Sequence, residues 1–362
     1  MTSPPMRYRI ETWGCQMNEH DSERMAGILT SQGMTPAGHE AEADVILLNT
    51  CAIREKASQK VFGRLGVLRS AKIRRPDLVI GVCGCVAQLE QREIFRRAPH
   101  VDFVMGPRAV ASLRRLVEES RTRRHQLAVS DPRDQLVPEA GEIALRSSRT
   151  RAFVTVMEGC NKTCTFCVVP MTRGREACRT PGSILEEASR AVAEGFPEIE
   201  LLGQNVNAYR SGGADFAELL GLVGEIPGLR RLRFTTSHPL HFRQGIADRM
   251  AENPVICPFL HLPVQSGADT VLERMRRGYT VESFRLKVEC ARARVPGLAL
   301  STDVIVGFPG ETDAEFQSTL DLVRATRFDQ IYAFVYSPRP GTPAAAYADD
   351  IPLTEKESRL RT

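Results

Sequence analysis

Residues 152–170 read Ala152-Phe-Val-Thr-Val-Met-Glu-Gly-Cys160-Asn-Lys-Thr-Cys164-Thr-Phe-Cys167-Val-Val-Pro170. The opening six residues are apolar or β-branched, the composition of a buried strand. Three cysteines follow at once, in a C-x3-C-x2-C spacing. Thiolates this close can hold three irons of a four-iron, four-sulfur cluster. No further cysteine follows until Cys178, so the fourth iron is left open to a small molecule. A zinc site and buried structural cysteines are the competing readings. Structural zinc prefers four closed ligands, usually as separated C-x2-C pairs, which this spacing fits poorly.

Outward from this stretch, the pattern repeats. Apolar strands are expected at residues 152–157, 199–202, 230–236, 259–262, 298–306 and 331–336, with helices between them. Ser183-x-x-Glu186 and Thr312-x-x-Glu315 read as capping boxes that start two of the helices. A closed eight-unit barrel takes about 250 residues, or roughly 31 per unit, so the span from Ala152 to Tyr336 has room for about six units. A partial (β/α)6 barrel follows, with an open side. The cysteine triplet lies directly after its first strand, on the face where barrels of this kind carry their chemistry. Gly203, Gln204 and Asn205 follow the second strand and Thr235 and Ser237 the third, while Val306 and Gly307 end the fifth. All seven are candidate cofactor contacts, and turn chemistry after a strand is the alternative for each. His238 reads as a structural hydrogen-bonding residue rather than a base. Arg173 and Arg175 could meet a phosphate or carboxylate, or form a surface ion pair.

The region before residue 150 carries a second alternation. Strands are expected at residues 8–12, 45–48, 78–82 and 101–105, with helices at 22–32, 55–69, after Ala87 and after Val110. Continuous apolar strands between helices imply a parallel sheet covered on both faces. Cys15 follows the first strand, Cys51 the second, and Cys83 and Cys85 the third. Carboxyl ends of parallel strands share one edge, where ligands bind, so cysteines distant in sequence should meet there. A second three-thiolate cluster is the natural expectation, against buried core cysteines as the alternative. Spacing does not choose between Cys83 and Cys85. Residues 121–150 are polar, contain Pro132 and Pro138, and read as a linker. The expected domains are therefore 1–120, a linker at 121–150, a barrel at 151–345, and the start of a C-terminal extension at 346–362.

Bulk properties set limits. The 362 residues carry a net charge of only +4, which permits an RNA partner without requiring one. No apolar run approaches the ~20 residues of a membrane span, and the first residues lack the features of a signal peptide. A cytoplasmic location is expected, where ten cysteines point to metal rather than disulfides.

Several segments resemble the radical S-adenosylmethionine methylthiotransferases. They are Thr12-Trp-Gly-Cys-Gln-Met-Asn18, Asn49-Thr-Cys-Ala-Ile-Arg-Glu-Lys56, Gly84-Cys-Val-Ala-Gln88, Met157-Glu-Gly-Cys-Asn-Lys162, Leu202-Gly-Gln-Asn-Val-Asn207, Phe234-Thr-Thr-Ser-His-Pro239, His261-Leu-Pro-Val-Gln-Ser-Gly267, residues 303–311, and Ser337-Pro-Arg-Pro-Gly-Thr-Pro343. The resemblance implies two [4Fe-4S] clusters. One is held by Cys15, Cys51 and Cys85, the last because it matches the family's Gly-Cys-Val-Ala. The other is held by Cys160, Cys164 and Cys167 and binds and cleaves S-adenosylmethionine. The implied reaction places a methylthio group on carbon 2 of N6-isopentenyladenosine, beside the anticodon of tRNA. The implied partners are that anticodon loop and an electron donor such as a flavodoxin or ferredoxin, and the chain is expected to act as a monomer away from membranes. A ribosomal-protein aspartate and threonylcarbamoyladenosine tRNA are alternative substrates of the same chemistry. A non-catalytic iron–sulfur or zinc RNA-binding protein is the alternative of another class. The family normally continues into a C-terminal β-barrel (TRAM) that helps hold tRNA. The expectation here is that this barrel is absent, the sequence ending at Thr362.

Overall fold

The computed structural model describes residues 5–52, 55–134 and 145–362. Ile53 and Arg54 of the second quoted motif, and Pro138 of the expected linker, lie outside the described residues. The chain divides into two compact units. The first comprises residues 1–149 together with 158–160 and 169–177, and the second 150–157, 161–168 and 178–362.

In the first unit, β1 (Arg7–Trp13), β2 (Thr35–Pro36), β3 (Val45–Thr50), β4 (Val79–Gly84), β5 (Phe103–Met105) and β6 (Gln126–Ala128) form one sheet in the order β2-β1-β3-β4-β5-β6. Every neighbouring pair is parallel. Alternation along the central strands assigns the two faces. Ile46, Leu48, Ile80 and Val82 pack with Val61, Leu65 and Leu68 of α2 (Glu55–Arg74). Val45, Leu47 and Val79 pack with Met25 and Leu29 of α1 (Gln16–Ser31) and with Leu113 and Leu116 of α5 (Leu113–Glu119). Strands buried on both faces require continuous apolar sequence, as β3 and β4 show. The helices α3 (Cys85–Glu90) and α4 (Arg92–Arg97) follow β4. A further short helix, α6 (Val169–Arg173), belongs to this unit although it comes after the cysteine triplet in sequence.

Two sequence expectations change here. The helix expected at 22–32 begins at Gln16, with Cys15 as its N-cap. The stretch read as a linker carries β6, whose backbone extends the sheet beyond β5. It also carries Ser147, whose amide and hydroxyl both donate to Glu23 of α1 at 2.8 Å.

In the second unit, β7 (Arg151–Thr155), β8 (Glu198–Leu202) and β9 (Arg231–Phe234) pair in the order β7-β8-β9. β10 (Phe259–His261), β11 (Ala299–Val306) and β12 (Gln330–Val335) pair in the order β10-β11-β12, again all parallel. An isolated parallel bridge between Leu232 and Ile256 carries the curvature from the first trio toward the second. Alternate strand residues, including Val154, Leu201, Leu232, Leu260, Leu300 and Val304, meet an outer ring of helices in one core. That ring includes α7 (Pro181–Ala193), α8 (Phe216–Gly224), α9 (Gln244–Glu252), α11 (Val281–Arg294) and α12 (Asp313–Thr326), and the shorter α10 (Asp269–Arg274) precedes α11. Among the described residues β7 and β12 do not pair, and β12 is exposed along nearly its whole length. The barrel is therefore partial, with six strands and an open side. The final helix, α13 (Leu353–Arg361), lies beyond β12.

The Thr312–Glu315 capping box is present on α12. The one read at Ser183 is displaced: α7 is capped by Thr180, whose hydroxyl accepts from the Ser183 amide, and Pro181 occupies the first turn. Proline has no amide hydrogen to leave unsatisfied there and its φ is already helical, so the helix starts three residues earlier.

Candidate metal centres

The first unit brings Cys15, Cys51 and Cys85 together. β1, β3 and β4 are adjacent, with Trp13 opposite Thr50 and Thr50 opposite Gly84. Each cysteine stands one or two residues past its strand, so register alone sets the three side by side. The Cys51 amide donates to the Trp13 carbonyl at 2.9 Å, and the Cys51 thiol lies in hydrogen-bonding contact with both Cys15 and Cys85. The order β2-β1-β3 also makes the gap between β1 and β3 the point where the sheet's winding reverses, the usual crevice for ligands in such sheets.

Cys83 is placed differently. It lies within β4, fully buried, and points into the core against α1 and α5. Burial pushes its thiol far up, the mark of an inert cysteine. Gly84 makes the difference between the two positions. Its φ is +87°, and a Cβ there would lie 2.4 Å from Asn49 Oδ1 and 2.7 Å from the Thr50 carbonyl. Only glycine turns the chain this way, and the turn delivers Cys85 to the first position of α3. Gly84→Ala is therefore expected to destabilise the protein by about 2 kcal/mol or more. It should also lower the iron bound by the reconstituted protein. Urea unfolding and iron assay check both.

The electrostatics suit thiolates. Hydrogen bonding from Cys51 lowers the Cys15 thiol to about 6 against the opposing effect of burial, with help from Arg173 and from backbone amides at the start of α1. Cys85 is lowered to about 7, again first by Cys51 and then by Arg173. Cys51 is pushed up by its hydrogen bonds to the other two thiols and by burial. Cys15 and Cys85 are thus easier to ionise than an ordinary cysteine, while Cys51 holds its proton between them. Among the described residues no Cys, His, Asp or Glu group is spaced to grip a single metal ion. Three thiols at one sheet edge match the three protein ligands of an open [4Fe-4S] cluster.

Arg173 had two sequence readings, an anion contact or a surface ion pair. It is neither. Its guanidinium is buried, donating to Asp21 Oδ2 at 2.5 Å and to Glu158 Oε1 at 3.4 Å. Burial works against its charge, but Asp21, Cys85 and Glu158 hold its pKa well above the ordinary value. Asn18 and Asn49, both fully buried, lock the neighbouring loops. Asn49 Nδ2 donates to the Asn18 carbonyl and to Ser22 Oγ, each at 2.8 Å. Cys15 Sγ donates in turn to Asn18 Oδ1 at 3.5 Å.

The second triplet spans a point where the chain passes between units. Cys160 belongs to the first, where its amide donates to the Gly174 carbonyl at 3.0 Å, and Cys164 and Cys167 belong to the second. The Cys167 amide donates to the Cys164 carbonyl at 3.1 Å, forming a tight turn. Thr165 fastens that turn: its amide donates to the Met275 carbonyl, its hydroxyl to the Arg274 carbonyl, and its carbonyl accepts from the Ala344 amide.

The seven candidate cofactor contacts all lie at carboxyl ends of barrel strands. Gly203, Gln204 and Asn205 follow β8, Thr235 and Ser237 follow β9, Val306 ends β11 and Gly307 follows it. A Cβ on Gly203 would stand 2.7 Å from Met157 Cγ, so the loop lies flat on its neighbour. The loops after β8 and β9 are tied together: the Val206 amide donates to the Thr236 carbonyl, and the Asn207 side chain exchanges hydrogen bonds with the His238 backbone. Gly307 donates to Glu311 Oε2 at 2.7 Å, which also accepts from Arg359.

Two buried atoms on this rim, Ser237 Oγ and His238 Nε2, have no hydrogen-bond partner among the described residues. Burial, followed by the charges of Arg277, His241, Lys162 and Lys287, lowers His238 to about 2, so its ring is neutral. Nδ1 accepts from the Leu240 amide, which puts the proton on Nε2 as an unused donor. Ser237 Oγ and His238 Nε2 leave this rim with unused hydrogen-bonding capacity for a polar ligand.

Sequence reasoning did not assign Asp21, Glu158 or Arg277 any role. The first two lay inside or beside quoted motifs, and that proximity was the available signal.

The fold and these centres define a radical S-adenosylmethionine protein. Residues 154–323 match the Radical SAM superfamily, and residues 7–106 match the family described as Uncharacterized protein family UPF0004. The chain is 51% identical over 361 residues to a tRNA-2-methylthio-N(6)-dimethylallyladenosine synthase of Chromobacterium violaceum, covering 97% of this chain and 80% of that one. It is 46% identical to the protein of the same name from Sulfurihydrogenibium sp., covering 98% and 81%. Among solved structures, the radical S-adenosylmethionine methyltransferase TsrM from Kitasatospora setae, with cobalamin and a [4Fe-4S] cluster bound, has a TM-score of 0.68 at 15% identity, covering 94% of this chain and 77% of that one, a likeness of fold. The chain belongs to the tRNA-2-methylthio-N(6)-dimethylallyladenosine synthase family.

Proposed function

We propose that this protein transfers a methylthio group to carbon 2 of a prenylated adenosine in the anticodon loop of tRNA. One observation carries the reading beyond family membership: Cys15, Cys51 and Cys85 meet at one sheet edge, in a chain that also holds a C-x3-C-x2-C triplet after a barrel strand. Each trio offers three thiolates, enough for a [4Fe-4S] cluster with one iron left open. When bound, these clusters supply the electron that cleaves S-adenosylmethionine and the sulfur that is transferred.

The residues of the chain have separate tasks. Cys160, Cys164 and Cys167 anchor the cluster of the radical step. Gly203, Gln204, Asn205, Thr235, Ser237, Val306 and Gly307 hold S-adenosylmethionine along the barrel rim. His238 stays neutral and donates from Nε2 rather than acting as a base. Cys15, Cys51 and Cys85 anchor the cluster of the sulfur step, and Arg173 lowers the Cys15 and Cys85 thiols that hold it. An unstacked loop base is the form in which a protein reaches the edge of an adenine. No helix among the described residues is long and apolar enough to cross a membrane. A flavodoxin or ferredoxin would supply the electrons.

The test uses reconstituted, reduced protein with S-adenosylmethionine and tRNA. Mass spectrometry of the digested nucleosides should show the 2-methylthio form of the prenylated adenosine. Modification of threonylcarbamoyladenosine instead would move the substrate assignment. Failure to cleave S-adenosylmethionine would remove the enzymatic reading.

A further inference from the structure

Arg277 is a buried cation whose hydrogen bonds lead to a cysteine. It is only 6% exposed, and it follows α10 in Met275-Arg-Arg-Gly-Tyr279. Its Nη1 donates to Cys164 Sγ at 3.3 Å, its Nη2 to the Pro263 carbonyl at 3.0 Å, and its Nε to Tyr279 Oη at 3.1 Å. Tyr279 in turn donates to the Val264 carbonyl at 2.7 Å, so that phenol keeps its proton.

No Asp or Glu among the described residues pairs with Arg277. Burying a guanidinium without a counter-charge is expensive, and proteins rarely do so. The other buried arginines show the contrast: Arg173 meets Asp21 and Glu158, Arg179 meets Glu187, and Arg359 meets Glu311. Of the three acceptors around Arg277, the Cys164 sulfur is the one that becomes anionic as a metal ligand. The fork is also held in place. Thr165, next to Cys164, is bonded to the carbonyls of Arg274 and Met275, so the cysteine loop and the segment bearing Arg277 move together.

We propose that Arg277 is a positioning residue that tunes the Cys160/Cys164/Cys167 cluster by donating a charged hydrogen bond to the Cys164 thiolate. The inference rests on the assignment of Cys164 as a cluster ligand. Hydrogen bonds to cluster sulfurs, and positive charge near them, favour the more negative reduced state and raise the reduction potential. Gaining one electron from an external reductant is therefore easier with Arg277 in place.

The test is an anaerobic redox titration of the reconstituted holoprotein, followed by electron paramagnetic resonance with dithionite as the reductant. Wild type is compared with Arg277→Gln and Arg277→Lys. The cluster bound through Cys15, Cys51 and Cys85 serves as the internal control for folding. Expected is a lower midpoint potential for the Cys164-bound cluster in Arg277→Gln, a smaller drop in Arg277→Lys, and an unchanged potential at the control cluster. Equal potentials in wild type and Arg277→Gln would overturn the inference while leaving the cluster assignment intact. Loss of the Cys164-bound cluster in Arg277→Lys, with the control cluster retained, would make Arg277 a structural residue and overturn it too. Absence of the second cluster from wild type would sink the assignment itself.

Discussion

Replacing Cys51 with alanine should abolish methylthiolation of tRNA while cleavage of S-adenosylmethionine persists, and replacing Cys164 with alanine should abolish both. The first unit explains the Cys51 result. Cys51 is buried at 3% exposure and is the member of its trio that contacts both others. Removing it breaks the hydrogen-bonded link between Cys15 and Cys85 and takes away one of three anchors. Loss of a residue that merely supports a metal ligand typically costs 10–100-fold, so loss of the ligand itself should exceed about 100-fold. Cys83→Ala is the control. That side chain packs in the core, so its loss should cost about 1 kcal/mol of stability and little activity. The assays are 5′-deoxyadenosine release and nucleoside mass spectrometry on the same samples. Retained methylthiolation in Cys51→Ala, or its loss in Cys83→Ala, would contradict the assignment.

Replacing Arg173 with methionine should destabilise the protein by about 3–5 kcal/mol, because it strands two buried carboxylates. Asp21 and Glu158 are 2% and 4% exposed, and burial already pushes the Glu158 carboxyl up. With the guanidinium gone, both would have to take up protons or drag in water. Adding Asp21→Leu to Arg173→Met should recover part of the loss, since the second change removes one uncompensated charge. Anaerobic urea unfolding measures both effects. Equal stability of wild type and Arg173→Met would show that the buried trio contributes nothing.

Much of this architecture was legible before any coordinates. β3 opens on the apolar run of residues 45–48, β4 has no charged or amide side chain, and the six barrel strands fall within one or two residues of their expected spans. Cysteines placed just after parallel strands had to share an edge, and three of them do. The choice between Cys83 and Cys85 came only from family resemblance, and the structure supplies its physical reason: strand alternation turns Cys83 into the core, and Gly84 carries Cys85 past it. Other features had no local signal. β6 is only three residues long at the sheet edge, too short for its alternation to register as periodicity. Arg173 and Asp21 are 152 positions apart, and only folding shows that they meet. The N-terminus of α7 was misread because Thr180 and Pro181 outcompete Ser183, a contest between two plausible caps. Arg277 was invisible for a further reason. Nothing about an arginine in sequence says that its neighbours after folding will lack a carboxylate.

The most direct measurement is the metal content of the protein purified without oxygen. Two trios of thiolates, each holding a four-iron cube, predict about eight irons and eight sulfides per chain. Four irons would remove one of the centres, and stoichiometric zinc in place of iron would contradict the account as a whole.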